Sequence, residues 1–232
     1  MRLFLEQLKW QFILLQRNYL VTISVVMTAI YAVIFFAIRD LGNADKLLTL
    51  LIYNDPAVIG LFFIGLSVIL DKNQQVLSAL FVTPVNLHVF LISRIISLSL
   101  IGGLCGLGMA FSALGFQFHF IHFFIGVTMN CLFFTLVGVW LVSYTSEFLL
   151  FMLRSIPILL TMSLPFLNYF ELTNLFILKL LPVQGSLTLM INSYRATPIL
   201  YELIFGYVSL IVWLPLLYIL AYKTFLKKIV HV

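Results

Sequence analysis

FIHFFIGVTMNCLFFTLVGVWLVSY, residues 120–144, contains no Asp, Glu, Lys or Arg. It is long enough to cross a bilayer as one helix, which takes about 20 mostly apolar residues. Five further stretches read the same way, at 19–38, 56–70, 89–115, 148–170 and 203–222. The one at 56–70 is the shortest. Its helix either starts before Pro56, drawing on residues 47–53, or belongs to a re-entrant arrangement. Pro157, Pro165 and Pro215 fall inside spans, where neighbouring helices can satisfy the carbonyls that proline frees. The expected fold class is all-α: a polytopic membrane protein, a single domain over 1–232 with six transmembrane helices.

Composition agrees with that expectation. Hydrophobic residues make up 63% of the 232 positions and charged ones 9%, against roughly a quarter charged in a soluble domain. A soluble chain of this size could not hide so much apolar surface, because a large part of any small globule faces water. The net charge of +5 therefore points to Lys and Arg holding loops on the cytoplasmic side and not to nucleic acid. Of the 13 basic residues, Arg39, Lys46, Lys179 and Arg195 fall on one side of the predicted membrane and the rest on the other. The second side then holds both termini and is the cytoplasmic one, which predicts an N-in, C-in protein of the plasma membrane. Cys105 and Cys131 lie in apolar runs and read as small buried hydrophobes at similar depth, not as an oxidised scaffold.

Three pieces remain outside the spans. Residues 1–18 form a helix with an apolar arc of Phe4, Leu5, Leu8, Phe12 and Leu15, bordered by Gln11, suited to the inner interface with Trp10 at headgroup level. No small-residue cleavage site follows it, so the first span is expected to serve as the insertion signal. Residues 71–88 form the longest polar stretch on the cytoplasmic side. Residues 171–202 form an external segment, long enough for two short helices broken at 182–185. No internal repeat or low-complexity tract interrupts this layout.

The catalytic inventory is thin. There is no G-x-x-x-x-G-K-[ST] to cradle nucleotide phosphates, so energy from ATP would have to come from a separate protein. No cluster has metal-ligand spacing. His119 and His122 lie three apart without a third ligand nearby and read as interfacial histidines. All eight acidic residues fall at predicted span ends or in loops, which weakens a proton- or sodium-coupled carrier. Ser186, after Gly185, has no histidine in a span interior to activate it.

Arg154, about one and a half turns into the fifth span, reads as the most membrane-buried charge. It either snorkels to the interface or lines the mouth of a pathway. Asn130, Thr128, Thr135, Ser143 and Tyr144 make the fourth span a candidate pathway helix, although hydrogen-bonded packing accounts for them equally well. Gly102, Gly106 and Ala110 repeat every fourth residue and predict a close helix contact, within the chain or between chains.

DKNQQVLSALFVTPVNLHVFLISR, residues 71–94, leaves the membrane, forms a short helix, stops at Thr83-Pro84 and re-enters near Arg94. Leu77, Leu80 and Phe81 share a face that cannot meet lipid there and needs a groove on this chain or a partner. The stretch resembles the permease subunits of type-2 ABC exporters, where an acidic residue, Gly-Thr-Leu-x-x-Leu and Thr-Pro-Val follow span two. Asp71, Leu77, Leu80, Thr83, Pro84 and Val85 match, whereas Gln75 and Val76 replace Gly-Thr. LLPVQGSL at 180–187 and NDPAVIGLFFIG at 54–65 are also similar, the latter to permeases for fluoroquinolone export.

The resemblance implies a drug exporter for hydrophobic or amphiphilic compounds, built from two permease chains in the bilayer. Two separate ABC ATPase subunits would carry ATP and magnesium, with no cofactor on this chain. They would dock on Asp71, Gln74, Gln75, Leu77, Leu80, Phe81, Thr83 and Pro84. Two alternatives share the six-span layout: a haem-exporter membrane subunit, and an uptake component that captures a small molecule. A membrane enzyme is disfavoured by the inventory above.

Overall fold

A computed structural model describes residues 2–38, 44–76 and 86–230, and all regular structure among them is helical. In chain order the helices are α1 (Arg2–Arg17), α2 (Leu20–Ile38), α3 (Ala44–Asn73), α4 (Leu87–Leu114), α5 (Phe120–Val142), α6 (Phe148–Ser163), α7 (Pro165–Tyr169), α8 (Phe176–Lys179), α9 (Gln184–Ser193) and α10 (Leu200–Phe225). A π-helical turn, Leu226–Val230, follows. Six helical stretches among the described residues are long and apolar enough to cross a membrane: α2, α3, α4, α5, α6 continued into α7, and α10 with its π turn.

Local chemistry sets several boundaries. Asn86 caps α4, its side-chain oxygen accepting from the His88 N–H at 2.9 Å. Gly115 closes the other end at φ 60°, its N–H donating to the Phe111 carbonyl at 3.1 Å, a left-handed position that suits glycine. Pro165 opens α7, where its missing N–H costs nothing. α3 runs unbroken through Pro56, so the second span takes in residues well before 56–70 and is a single helix, not a re-entrant pair.

The spans divide into two classes. Over an 18-residue apolar stretch of each span, 72%, 72% and 78% of residues are buried in α3, α4 and α5, against 17% in each of the other three. α5 is the centre: α3 and α4 pack along it, and α9 covers its opposite end. Helices that are apolar all round belong in a core or in lipid, and α2, α6 and α10 turn most of their Val, Ile and Leu outward, as Val33, Leu160 and Ile211 show.

The core helices approach closely because glycines line their crossings. A Cβ at Gly60 of α3 would sit 2.5 Å from the Cys131 carbonyl oxygen and 2.8 Å from Thr135 Oγ1. Gly102 and Gly106 of α4 face Cys131 and Val127 of α5, with Pro56 beside both, and Ala110 is fully buried. This stripe thus packs inside the chain. Cys105 and Cys131 are buried free thiols, and the Cys131 thiol donates to the Leu98 carbonyl at 3.6 Å.

α1 lies against α4 and turns into α2 at Tyr19, at φ 59°. Leu15 is buried and Phe4, Leu8 and Phe12 are half-buried on it, but Leu5 is exposed and Gln11 is buried.

Candidate functional site

Asp71 lies in the last turn of α3, and α4 begins with a run that includes Arg94. Between them lie residues 77–85, so Leu77, Leu80, Phe81, Thr83 and Pro84 fall outside the described residues. The two arms that carry this connection are tied together. The Arg94 guanidinium pairs with the Asp71 carboxylate at 2.5 Å and donates to Ser67 Oγ at 2.7 Å, over the Phe90 ring at 5.2 Å. Arg94 is 1% exposed. Burying such a pair is tolerated because each charge neutralises the other, and removing one partner strands the second.

The clip extends to the neighbouring spans. Lys72 Nζ donates to the Thr145 carbonyl in the α5–α6 turn at 3.2 Å. His88, at the start of α4, hydrogen-bonds with the Tyr218 hydroxyl at 2.9 Å and stacks on Tyr222 with ring centres 3.7 Å apart, both on α10. Gln75, at φ 56°, lies in the turn after α3, its N–H donating to the Lys72 carbonyl, and Gln74 and Gln75 are exposed. The described residues that flank 77–85 are thus tied to one another, to the α5–α6 turn and to α10.

This arrangement corrects one sequence expectation. Arg154 is exposed, its guanidinium donating to the Tyr144 carbonyl at 3.0 Å, and Arg94 is the deeply buried cation. Position along a span indicates depth, but only the packed neighbours decide which face a side chain takes. Asp55 is a second correction. The sequence places all eight acidic residues at span ends or in loops, but Asp55 lies within α3 at 8% exposure, because α3 starts so far upstream.

The pathway candidates do not converge on one place. Asn130 is fully buried, donating from its amide to the Tyr53 carbonyl at 2.9 Å and accepting from Ser186 Oγ at 3.4 Å. That bond lies beside the carbonyl of Ile52, which Pro56 leaves without its helical donor. Thr135 and Ser143 donate to carbonyls of their own helix, and Thr128 faces Gly103. Tyr144 and Arg154 lie instead at the Asp71 end. The Asn130 group joins α5 to α3 and α9, a packing role.

At the other end, His119 is placed by a contact to the Ala196 carbonyl at 3.4 Å, and His122 by the Tyr207 hydroxyl at 2.7 Å. The segment after α7 folds into α8 and α9, and Gly185 of α9 crosses α10 at Gly206, where a Cβ would come 2.9 Å from the carbonyl oxygen. Arg154→Ala is expected to leave the melting temperature in detergent within about 2 °C of the parent, since an exposed side chain leaves no buried group stranded. A larger loss would make Arg154 a packing residue.

The profile of the fluoroquinolones export permease protein family matches residues 2–232. Fluoroquinolones export permease proteins from two strains of Mycobacterium tuberculosis, CDC 1551 / Oshkosh and ATCC 25618 / H37Rv, are each 27% identical to this chain over 137 residues. The aligned region spans 59% of this chain and 58% of each relative, so it falls short of two thirds of their length. Six apolar helices and a family match along nearly the whole sequence lead to one assignment: this multi-pass membrane protein belongs to the fluoroquinolones export permease protein family.

Proposed function

We propose that the chain is the membrane subunit of an ATP-driven exporter that moves hydrophobic or amphiphilic drugs, fluoroquinolones among them, out of the cell. The observation that carries this reading is the family match along residues 2–232. In the proposed orientation both termini and the Asp71 end face the cytoplasm. Two copies of the chain form the pathway, and two ATPase subunits carrying ATP and magnesium dock beneath them. The chain itself is no enzyme and binds no cofactor.

The ties between the residues flanking 77–85 and the neighbouring spans support this coupling. ATP binding must favour one gate over the other. Shifting a two-state equilibrium from 1:99 to 99:1 takes about 5.5 kcal/mol of differential binding. Three docked apolar side chains, Leu77, Leu80 and Phe81, supply about 1.5–3 kcal/mol each on burial, enough to hold the ATPase while it works. The Asp71–Arg94 clip, with Lys72 and His88, then passes that displacement to four spans.

Purification of the tagged chain in mild detergent should recover a soluble P-loop ATPase in equal amount. Leu80→Asp should insert normally but abolish stimulation of that ATPase, because a carboxylate would be buried in an apolar groove. Stimulation equal to the parent's would refute the docking role. Recovery of the chain alone with a tightly bound small molecule would favour a capture component instead.

A further inference from the structure

The Lys46 end of the molecule holds a cavity of about 610 Å³ between the start of α3, the α8–α9 segment and α10. That is the size of a drug-binding pocket. Two of its cations are already neutralised, Lys46 by Glu171 at 2.9 Å and Arg195 by Glu202 at 2.8 Å. Glu202 also accepts from the Asn192 amide at 2.6 Å, so the Arg195–Glu202 pair is fastened to the wall. Lys179 is the remaining cation, exposed and without an ion pair among the described residues. The cavity thus presents one unneutralised positive charge beside Phe176, Tyr201 and Phe205.

Lys179, Tyr201 and Phe205 also line a second space. An apolar groove of about 330 Å³ runs from them down α10 past Val208 and Val212 to Trp213. At 1.5 Å per residue, Tyr201 to Trp213 spans about 18 Å, more than half of a hydrocarbon core. A chamber that carries charged side chains among apolar ones and an apolar groove therefore meet at the Lys179 ammonium. The geometry points to a binding site for an amphiphile with one acidic group, its acid on Lys179 and its apolar body along α10. This is cargo on its way out at the membrane face. The assignment rests on the export reading for calling the occupant cargo, but its binding needs no ATPase.

Trp213 is the built-in reporter. With Trp10 and Trp140 replaced by Phe, the full chain in phosphatidylcholine nanodiscs should transfer energy saturably from Trp213 to dansyl-undecanoic acid. Its methyl ester should bind more weakly by about tenfold, the weight of one partly desolvated charge contact. Lys179→Glu should remove that preference while leaving ester binding unchanged. Equal affinity for acid and ester, or an acid preference that survives Lys179→Glu, would overturn the site. Loss of acid binding on adding phosphatidylglycerol would mean that a membrane lipid is the occupant, which also overturns it. Drug efflux lost with acid binding intact would refute the export reading alone, and acid discrimination lost with efflux intact would refute this site alone.

Discussion

Arg94→Leu is expected to destabilise the chain by about 3–5 kcal/mol, because it leaves the buried Asp71 carboxylate without its countercharge. For a chain of this size that amounts to a fall of about 10 °C in the melting temperature in detergent, followed by tryptophan fluorescence. The companion double variant, Asp71→Leu with Arg94→Met, removes both charges and keeps the volume. An apolar pair of similar shape is often as stable as a buried ion pair, so most of the melting temperature should return. Transport should not. If the clip carries motion from the connection into α3 and α4, the double variant folds but exports poorly when joined to its ATPase. Recovery of stability and efflux together would make the pair structural only. A single variant melting with the parent would mean that Arg94 and Asp71 are not paired in the folded protein.

The second large effect falls on the α3–α5 crossing. Gly60→Val should lower the yield of monodisperse protein sharply and destabilise what remains by about 3 kcal/mol or more, the upper end for an overpacked core. The new Cβ meets the Cys131 carbonyl oxygen at 2.5 Å, and a backbone atom cannot rotate away as a side chain can. Relief requires α3 and α5 to part, and these are the two most intimately packed spans. Gly108→Ala is the control. Its nearest neighbour is the methyl carbon of Thr28 at 3.3 Å, which can give by a few tenths of an ångström, so it should melt close to the parent. Comparable losses in both would show that added bulk at any of these helix glycines, and not the backbone contact at the crossing, sets the cost, since helix propensity alone favours Ala over Gly.

Much of the architecture was legible because hydropathy was enough to read it. The spans and the broken helices at 171–202 could be marked from runs of apolar and polar residues alone. The candidate site was legible in part. Asp71 stood out as the acidic start of a docking motif, and Arg94 as the residue at which the chain re-enters the membrane, but nothing local joined them. The amphipathic arc of α1 shows a similar limit. Leu5 belongs to the arc on a helical wheel yet is exposed, while Gln11 beside it is buried, because contact with α4 helps decide which side chains of α1 are covered.

By itself the sequence determined the class of protein, the number of its spans, the lack of a nucleotide-cradling motif and the family it resembles. These follow from transfer free energies that add residue by residue along the chain, and from motifs contained within a few turns. Only the tertiary structure decided that α3, α4 and α5 are the core, that Arg94 and not Arg154 is the buried cation, that Asp55 lies inside the protein, and that Gly60 sits against Cys131. Each of those is a pairing between residues on different helices. Ser67 and Arg94 are 27 positions apart and share one hydrogen bond, and Tyr53 and Asn130 are 77 apart and share another. Lipid rewards apolar residues on every face alike. Which face turns inward is therefore left to the shape and charge of the neighbouring helix.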